Sequence, residues 1–245
     1  MTTLLPKNRD VNVTEKREKY VGGSDIPTIL GINKFKTQYE LALEKTGIKP
    51  NEFRGNEYTQ FGNILEPQIR DYINAVNETN FRPGTRIDEK RGIRCNTDGY
   101  DVKNKIILEI KTHGNNPDKK TYIAQMQLYM AQFDCDYGWL ALYKRPENFD
   151  TEFDSGRLQI EVIERDDEYV NKIYEAIETF WLRCEYLKEN PKATEQEFYN
   201  FGQNEVQLIA NKVSKLEIQL AHFKKLQDEY KEAKQKLHDA MEAYD

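Results

Sequence analysis

Asp98, Glu109 and Lys111 are the residues of this 245-residue chain whose types and spacing could do chemistry. They sit in Asn96-Thr97-Asp98-Gly99-Tyr100 and, shortly after, in Leu108-Glu109-Ile110-Lys111-Thr112. An acid on one strand and an acid-x-lysine on its hairpin partner can hold a divalent cation and activate water beside it. Phosphodiesters are shielded by their own negative charge, so their hydrolysis needs such a cation to neutralise the developing oxyanion and acidify the attacking water. Phosphodiester hydrolysis is therefore the chemistry these residues could support. Glu109 and Lys111 alone would read as a surface ion pair, because E-x-K recurs by chance in charged sequences.

The elements that must position these residues are readable from hydrophobic period. Period-two alternation predicts strands over 86–90, 93–102 and 105–112, with Lys103-Asn104 as the turn between the last two. In the third strand Ile106, Leu108 and Ile110 share one face and Glu109 and Lys111 the other, so the charged pair is expected to point away from the core. The main-chain carbonyl of Ile110 lies between them as a further possible oxygen ligand.

Upstream, Gly22-Gly23-Ser24-Asp25 before Ile26 to Leu30 and Gly31 predicts a short helix capped by Ser24. Thr37 and Glu40 form a capping box for a second helix ending at Gly47. Residues 53–58 read as a polar loop. Phe61, Leu65, Ile69, Ile73 and Val76 then mark a long helix, in which Pro67 follows Glu66. Downstream come a helix over 122–133 with Ile123, Met126, Met130 and Phe133 inward and Gln125 off that stripe, strands at 137–143 and 158–163, and a helix over 166–188. Together these predict a mixed α/β sandwich.

From residue 204 onward Val206, Ile209, Val213, Leu216, Leu220, Phe223, Tyr230, Leu237, Met241 and Tyr244 keep a three-four spacing, interrupted by Gln227 and Lys234. That is a heptad stripe on a helix of about 40 residues and about 60 Å. The expected organisation is a catalytic domain over 1–200 and a helix for oligomerisation or partner binding over 201–245.

Composition narrows the chemistry. Cys95, Cys135 and Cys184 form no CxxC pair, and His113, His222 and His238 are scattered. Carboxylates are the remaining ligands, which favours a hard cation such as magnesium or manganese. Net charge is −6, but residues 1–125 carry 21 basic against 17 acidic side chains, or +4, and the remainder 15 against 25, or −10. A basic front half is compatible with a local DNA-binding surface. No apolar run approaches the roughly 20 residues of a membrane span, and the charged first 20 residues do not resemble a secretory signal, so a soluble cytoplasmic protein is expected.

With five marks in order, the chain resembles the lambda-exonuclease and YqaJ-like viral recombinase branch of the restriction-endonuclease-like nucleases. The marks are Gly22-Gly23-Ser24-Asp25, Gly62-Asn63-Ile64-Leu65-Glu66-Pro67, Thr97-Asp98-Gly99, Leu108-Glu109-Ile110-Lys111-Thr112 and Ala124-Gln125-Met126-Gln127. The resemblance runs from about Arg17 to Phe133 and more weakly through about Lys188. Thr97 departs from the proline that often precedes the catalytic Asp, which bears on strand geometry rather than on any ligand.

The resemblance implies a restriction-endonuclease-like mixed central sheet flanked by helices, and a magnesium-dependent exonuclease acting 5′ to 3′ on linear double-stranded DNA for phage-type recombination. It implies Asp98 and Glu109 as main metal ligands with Glu66 contributing, two ions per site, manganese able to substitute, and Lys111 and Gln125 aligning water. Ser24 would contact substrate phosphate, Arg17 the terminal 5′-phosphate, and Lys34 and Lys36 add nearby positive charge. A ring, expected as a trimer, in a bacterial host cell is implied, with a single-strand annealing protein as a possible partner.

The competing readings are an endonuclease or Cas4-like end-processing nuclease, and a non-catalytic DNA-end or partner-binding module. The missing cysteine cluster counts against an iron–sulfur type. The intact Asp98, Glu109 and Lys111 count against the module.

Overall fold

The computed structural model describes residues 3–6, 17–50, 55–201 and 205–242. Among the described residues six strands form one sheet in sequence order: β1 (Thr3–Pro6), β2 (Arg82–Asp88), β3 (Ile93–Asp101), β4 (Ile106–His113), β5 (Tyr137–Lys144) and β6 (Leu158–Glu164). All neighbours are antiparallel except β4 and β5, which run parallel and are joined by the crossover helix α4 (Lys119–Phe133). A parallel pair needs such a crossover, so the helix between β4 and β5 follows from the topology.

The remaining helices are α1 (Ile26–Ile29), α2 (Gln38–Lys45), α3 (Glu57–Asn77), α5 (Asp167–Glu189), α6 (Glu195–Asn200) and α7 (Glu205–Glu242). Thr37 and Glu40 form the expected capping box of α2. The α3 helix starts ahead of the expected Phe61 and runs unbroken through Pro67.

On α3, Phe61, Leu65, Ile69 and Ile73 form a stripe that packs on Ile106, Leu108 and Ile110 of β4 and Ala141 and Tyr143 of β5. All but Ile110 among them are almost completely buried, and this four-residue spacing is what one inward helix face requires. The α4 helix packs against β2, β3, β4 and β5, and α1 and α5 pack on it in turn. The mixed α/β sheet flanked by helices is thus the architecture the alternation predicts. The first strand of the 86–90 reading begins earlier, at Arg82, because Pro83 and Gly84 hide its period.

One expectation fails in an instructive way. Glu109 does not point away from the protein: it is 2% exposed. The face that carries it is covered as well, and α4 is buried nearly all round, including Gln125 and Gln127. Strands joined by a parallel crossover are buried on both faces, so alternation on β4 separates two interiors rather than core from water.

The chain divides into two compact units, 1–193 and 194–245. In the second, α7 is a continuous helix of 38 residues, about 57 Å long. Along it Ile209, Val213, Leu216, Leu220, Phe223, Tyr230, Leu237 and Met241 are all exposed. Among the described residues no helix is long and apolar enough to cross a membrane.

Candidate active site

The β3–β4 hairpin opens where the chemistry sits. Its ladder pairs Asp101 with Ile106, Tyr100 with Ile107 and Gly99 with Leu108. Beyond that, two side chains bond the partner strand. The Thr97 hydroxyl lies 2.9 Å from the Leu108 carbonyl, and Asp98 Oδ2 accepts the Ile110 N–H at 2.8 Å. A threonine can reach that carbonyl and a proline cannot, which gives Thr97 a structural role in the splayed hairpin. Gly99 is required by close approach, since a Cβ there would stand 2.8 Å from Phe81 Cβ and 3.0 Å from Leu108 Cβ.

The opened end gathers the predicted residues. Glu109 Oε1 accepts from Lys111 Nζ at 2.7 Å and from Gln125 Nε2 at 2.6 Å. Gln125 is therefore a buried partner of Glu109, in correction of its place off the inward stripe, while Ile123 is only half-buried. The same Nε2 lies 2.9 Å from the Tyr129 hydroxyl. Tyr129 was not singled out from sequence. Its position four residues after Gln125, one helical turn on, was the available signal.

Tyr129 ties this network to the glycine motif. A Cβ on Gly23 would fall 2.3 Å from Tyr129 Cε1, so the ring lies directly on the glycine. The segment is pinned to β3 by Val21, which bridges Ile93 and bonds to Gly92 and Arg94. Ser24 is exposed and caps nothing by its side chain. The correction is that Asp25 caps this turn. Its Oδ2 accepts the Gly22 N–H at 3.0 Å and pairs with Lys45 Nζ at 2.8 Å in a buried bridge to α2.

Glu66 reaches the same region from α3, held by Arg70. Arg70 Nη1 donates to Glu66 Oε1 at 2.8 Å and to the Asp98 carbonyl at 2.9 Å. Ile110 meets Asp98 through its N–H, as given above. Lys36 pairs with Glu44 at 2.6 Å. Lys34 is exposed and reaches Asp118 only at 4.0 Å, a pair worth about 0–1 kcal/mol that a phosphate can displace. Arg17 begins a short 3-10 turn, and its side chain lies outside the described residues.

Charge explains why a cation suits this place. Burial, then the charges of Glu109 and Glu66, push the Asp98 carboxyl well above the usual carboxylate range, against the opposing pull of Lys111 and the Ile110 N–H. Burial would lower the Lys111 ammonium, but the carboxylates of Glu109 and Asp98 outweigh it and raise it. The side-chain donors Asp98, Glu109 and Glu66 are all oxygen, the set a hard divalent cation takes. Among the described residues no three His, Cys, Asp or Glu side chains converge tightly enough to hold a metal by themselves. Two of the three acids are engaged by built-in cations, Glu109 by Lys111 and Glu66 by Arg70. The donor chemistry fits a cation on Asp98 and Glu109, with Glu66 adjoining.

Comparisons with known proteins follow this geometry. The YqaJ protein of Bacillus subtilis strain 168, itself uncharacterised, is 31% identical over 198 residues, covering 73% of this chain and 58% of that protein. The chain thus spans less than two thirds of that relative. A phage-related exonuclease from Haemophilus somnus 129PT superposes with a TM-score of 0.54 at 25% identity, covering 70% of this chain and 96% of that one. The alkaline exonuclease of Laribacter hongkongensis superposes with a TM-score of 0.57 at 22% identity, covering 72% and 93%, and shares the fold. The model of the YqaJ-like viral recombinase domain matches residues 14–136, which contain Ser24, Glu66, Asp98, Glu109, Lys111 and Gln125, and the chain belongs to that family.

Proposed function

We propose that this chain is a magnesium-dependent deoxyribonuclease on a restriction-endonuclease-like (PD-(D/E)XK) core. It digests one strand of linear double-stranded DNA 5′ to 3′ from an end and supplies single strand for phage-type recombination. One observation carries the reading: Glu109 Oε1 receives both Lys111 Nζ at 2.7 Å and Gln125 Nε2 at 2.6 Å, beside the buried-edge carboxylate Asp98. The exonuclease names of the Haemophilus and Laribacter neighbours, and the viral recombinase family, support it.

Asp98 and Glu109 would hold magnesium, with Glu66 and the Ile110 carbonyl as further ligands, room for up to two ions, and manganese as a substitute. Such a cation supplies Lewis-acid neutralisation of the scissile phosphate and acidifies water. Lys111 orients the attacking water or a phosphate oxygen. Gln125 fixes the Glu109 carboxylate, and Tyr129 meets Gln125 from behind. Ser24, Lys34 and Lys36 contact backbone phosphates, and Arg17 takes the terminal 5′-phosphate.

The α7 stripe serves assembly. A heptad face this long and this exposed is the signature of a partner helix. The partners are DNA ends and further copies of the chain in a ring, expected as a trimer, with a single-strand annealing protein in the bacterial cytoplasm as the downstream partner.

The test is an end-labelled linear duplex with and without a 5′-phosphate, incubated with magnesium or EDTA. Magnesium-dependent release from the phosphorylated 5′ end is expected. Efficient cutting of closed circular DNA would instead establish the endonuclease reading.

A further inference from the structure

Arg145 follows β5 directly, beside the end of β4, and its main-chain N–H donates to the His113 carbonyl at 2.8 Å. Its guanidinium is gripped by two rings. The Cζ atom lies 4.3 Å from the centroid of Tyr58, on α3, and 4.9 Å from that of Phe149. The two rings are themselves 5.3 Å apart. Among the described residues no carboxylate pairs with Arg145 and no acceptor takes a hydrogen bond from its guanidinium. Gly114 lies beside the guanidinium, where a Cβ would make an ordinary 3.7 Å contact with Arg145 Nη2.

This cation adjoins the candidate active site. Lys111 Nζ lies 5.6 Å from the ring centroid of Tyr122. His113, whose carbonyl takes the Arg145 main-chain N–H at 2.8 Å, stands two residues after Lys111 on β4. The ends of parallel strands are where ligands of open α/β sheets bind. Arg145 stands at that end with its five N–H donors fixed in a plane by flanking rings, the form of arginine suited to phosphate.

We propose that Arg145, held between Tyr58 and Phe149, binds a backbone phosphate of the DNA strand entering the site. The inference rests on the nuclease reading above and adds a substrate contact that none of the five sequence marks contains. The rings orient the guanidinium before DNA arrives, so little freedom is lost on binding. Tyr58 is 47% exposed and forms part of the same contact surface.

The test uses the full chain and a fluorescent 5′-phosphorylated duplex in EDTA, titrated at several salt concentrations. Arg145→Gln keeps a planar group between the rings without charge, and Arg145→Lys keeps the charge. Arg145→Gln is expected to weaken binding about tenfold and to reduce the slope of log K against log salt by about one, with Arg145→Lys retaining the slope. With magnesium added and DNA saturating, Arg145→Gln keeps kcat within about twofold while KM rises. An arginine that merely pins the loop after β5 would lower the melting temperature and leave the salt slope unchanged, and that result overturns the proposal. Wild-type protein that binds no duplex overturns the nuclease reading with it, whereas wild-type binding matched by Arg145→Gln overturns the Arg145 contact alone.

Discussion

Gln125 Nε2 stands 2.6 Å from Glu109 Oε1, joining the crossover helix to the catalytic strand across a buried interface. The bond holds, together with Lys111, one oxygen of the Glu109 carboxylate, and it does so from the helix that the parallel β4–β5 pairing makes necessary. Gln125→Ala is expected to leave the fold intact and lower activity or metal affinity by about 10- to 100-fold, the usual cost of losing a residue that orients a metal ligand. Steady-state kinetics with a magnesium titration read this out, and wild-type metal dependence in the variant would remove Gln125 from the site.

Gly23→Ala tests the link from the glycine motif to the network. The added Cβ would meet Tyr129 Cε1 at 2.3 Å, so the ring must move away from Gln125. The expected cost is about 1–3 kcal/mol of stability together with loss of activity. Chemical denaturation and cleavage rates measure the two. A variant of unchanged stability would mean that the ring yields freely.

Much of this was legible in the sequence, for a local reason. The β3–β4 hairpin and the stripe of α3 declare themselves by period and turn residues, so Asp98, Glu109 and Lys111 could be placed on their strands and Glu66 on its helix, while only the family resemblance pointed Glu66 to the site. The burial of Glu109 and the inward turn of Gln125 and Tyr129 were not legible. They depend on α4 covering the second face of β4, and alternation cannot tell a second interior from solvent. Asp25 shows the same limit. Its neighbour Ser24 has about the same capping propensity, and the buried Lys45, twenty residues on, pairs with Asp25 at 2.8 Å. β1 was missed because four residues in a polar leader carry no period.

Asp101 supplies a pH-dependent stability. It is 1% exposed. Burial alone would raise its carboxyl, but hydrogen bonds from the Asn80 and Asn104 main chains, the Asn104 side chain and the Lys103 N–H hold it below the usual range. A lowered folded-state value means the stabilisation is complete above the unfolded value, near 3.9, and is lost as pH falls through the lower folded value. Asp101→Asn is expected to cost about 1–3 kcal/mol at pH 7. The gap to wild type should close as the pH falls below about 4. Thermal melts across pH check this, and a gap independent of pH would contradict it.

The heptad face of α7 predicts association through that helix. Leu216 and Leu220 are 56% and 58% exposed, so replacing both with lysine is expected to leave the helix itself folded. Light scattering is expected to show loss of oligomer mass with the melting temperature of the nuclease unit unchanged. Unchanged mass would make the helix an arm for a different protein.

The most direct measurement compares wild type with Lys111→Ala on one 5′-phosphorylated linear duplex, recording binding in EDTA and cleavage in magnesium. The account predicts nearly unchanged binding, because Lys111 is paired to Glu109 at 2.7 Å inside the site, and cleavage reduced by at least about 100-fold. Undiminished cleavage by a folded Lys111→Ala protein would contradict the assignment of Asp98, Glu109 and Lys111 as the catalytic centre.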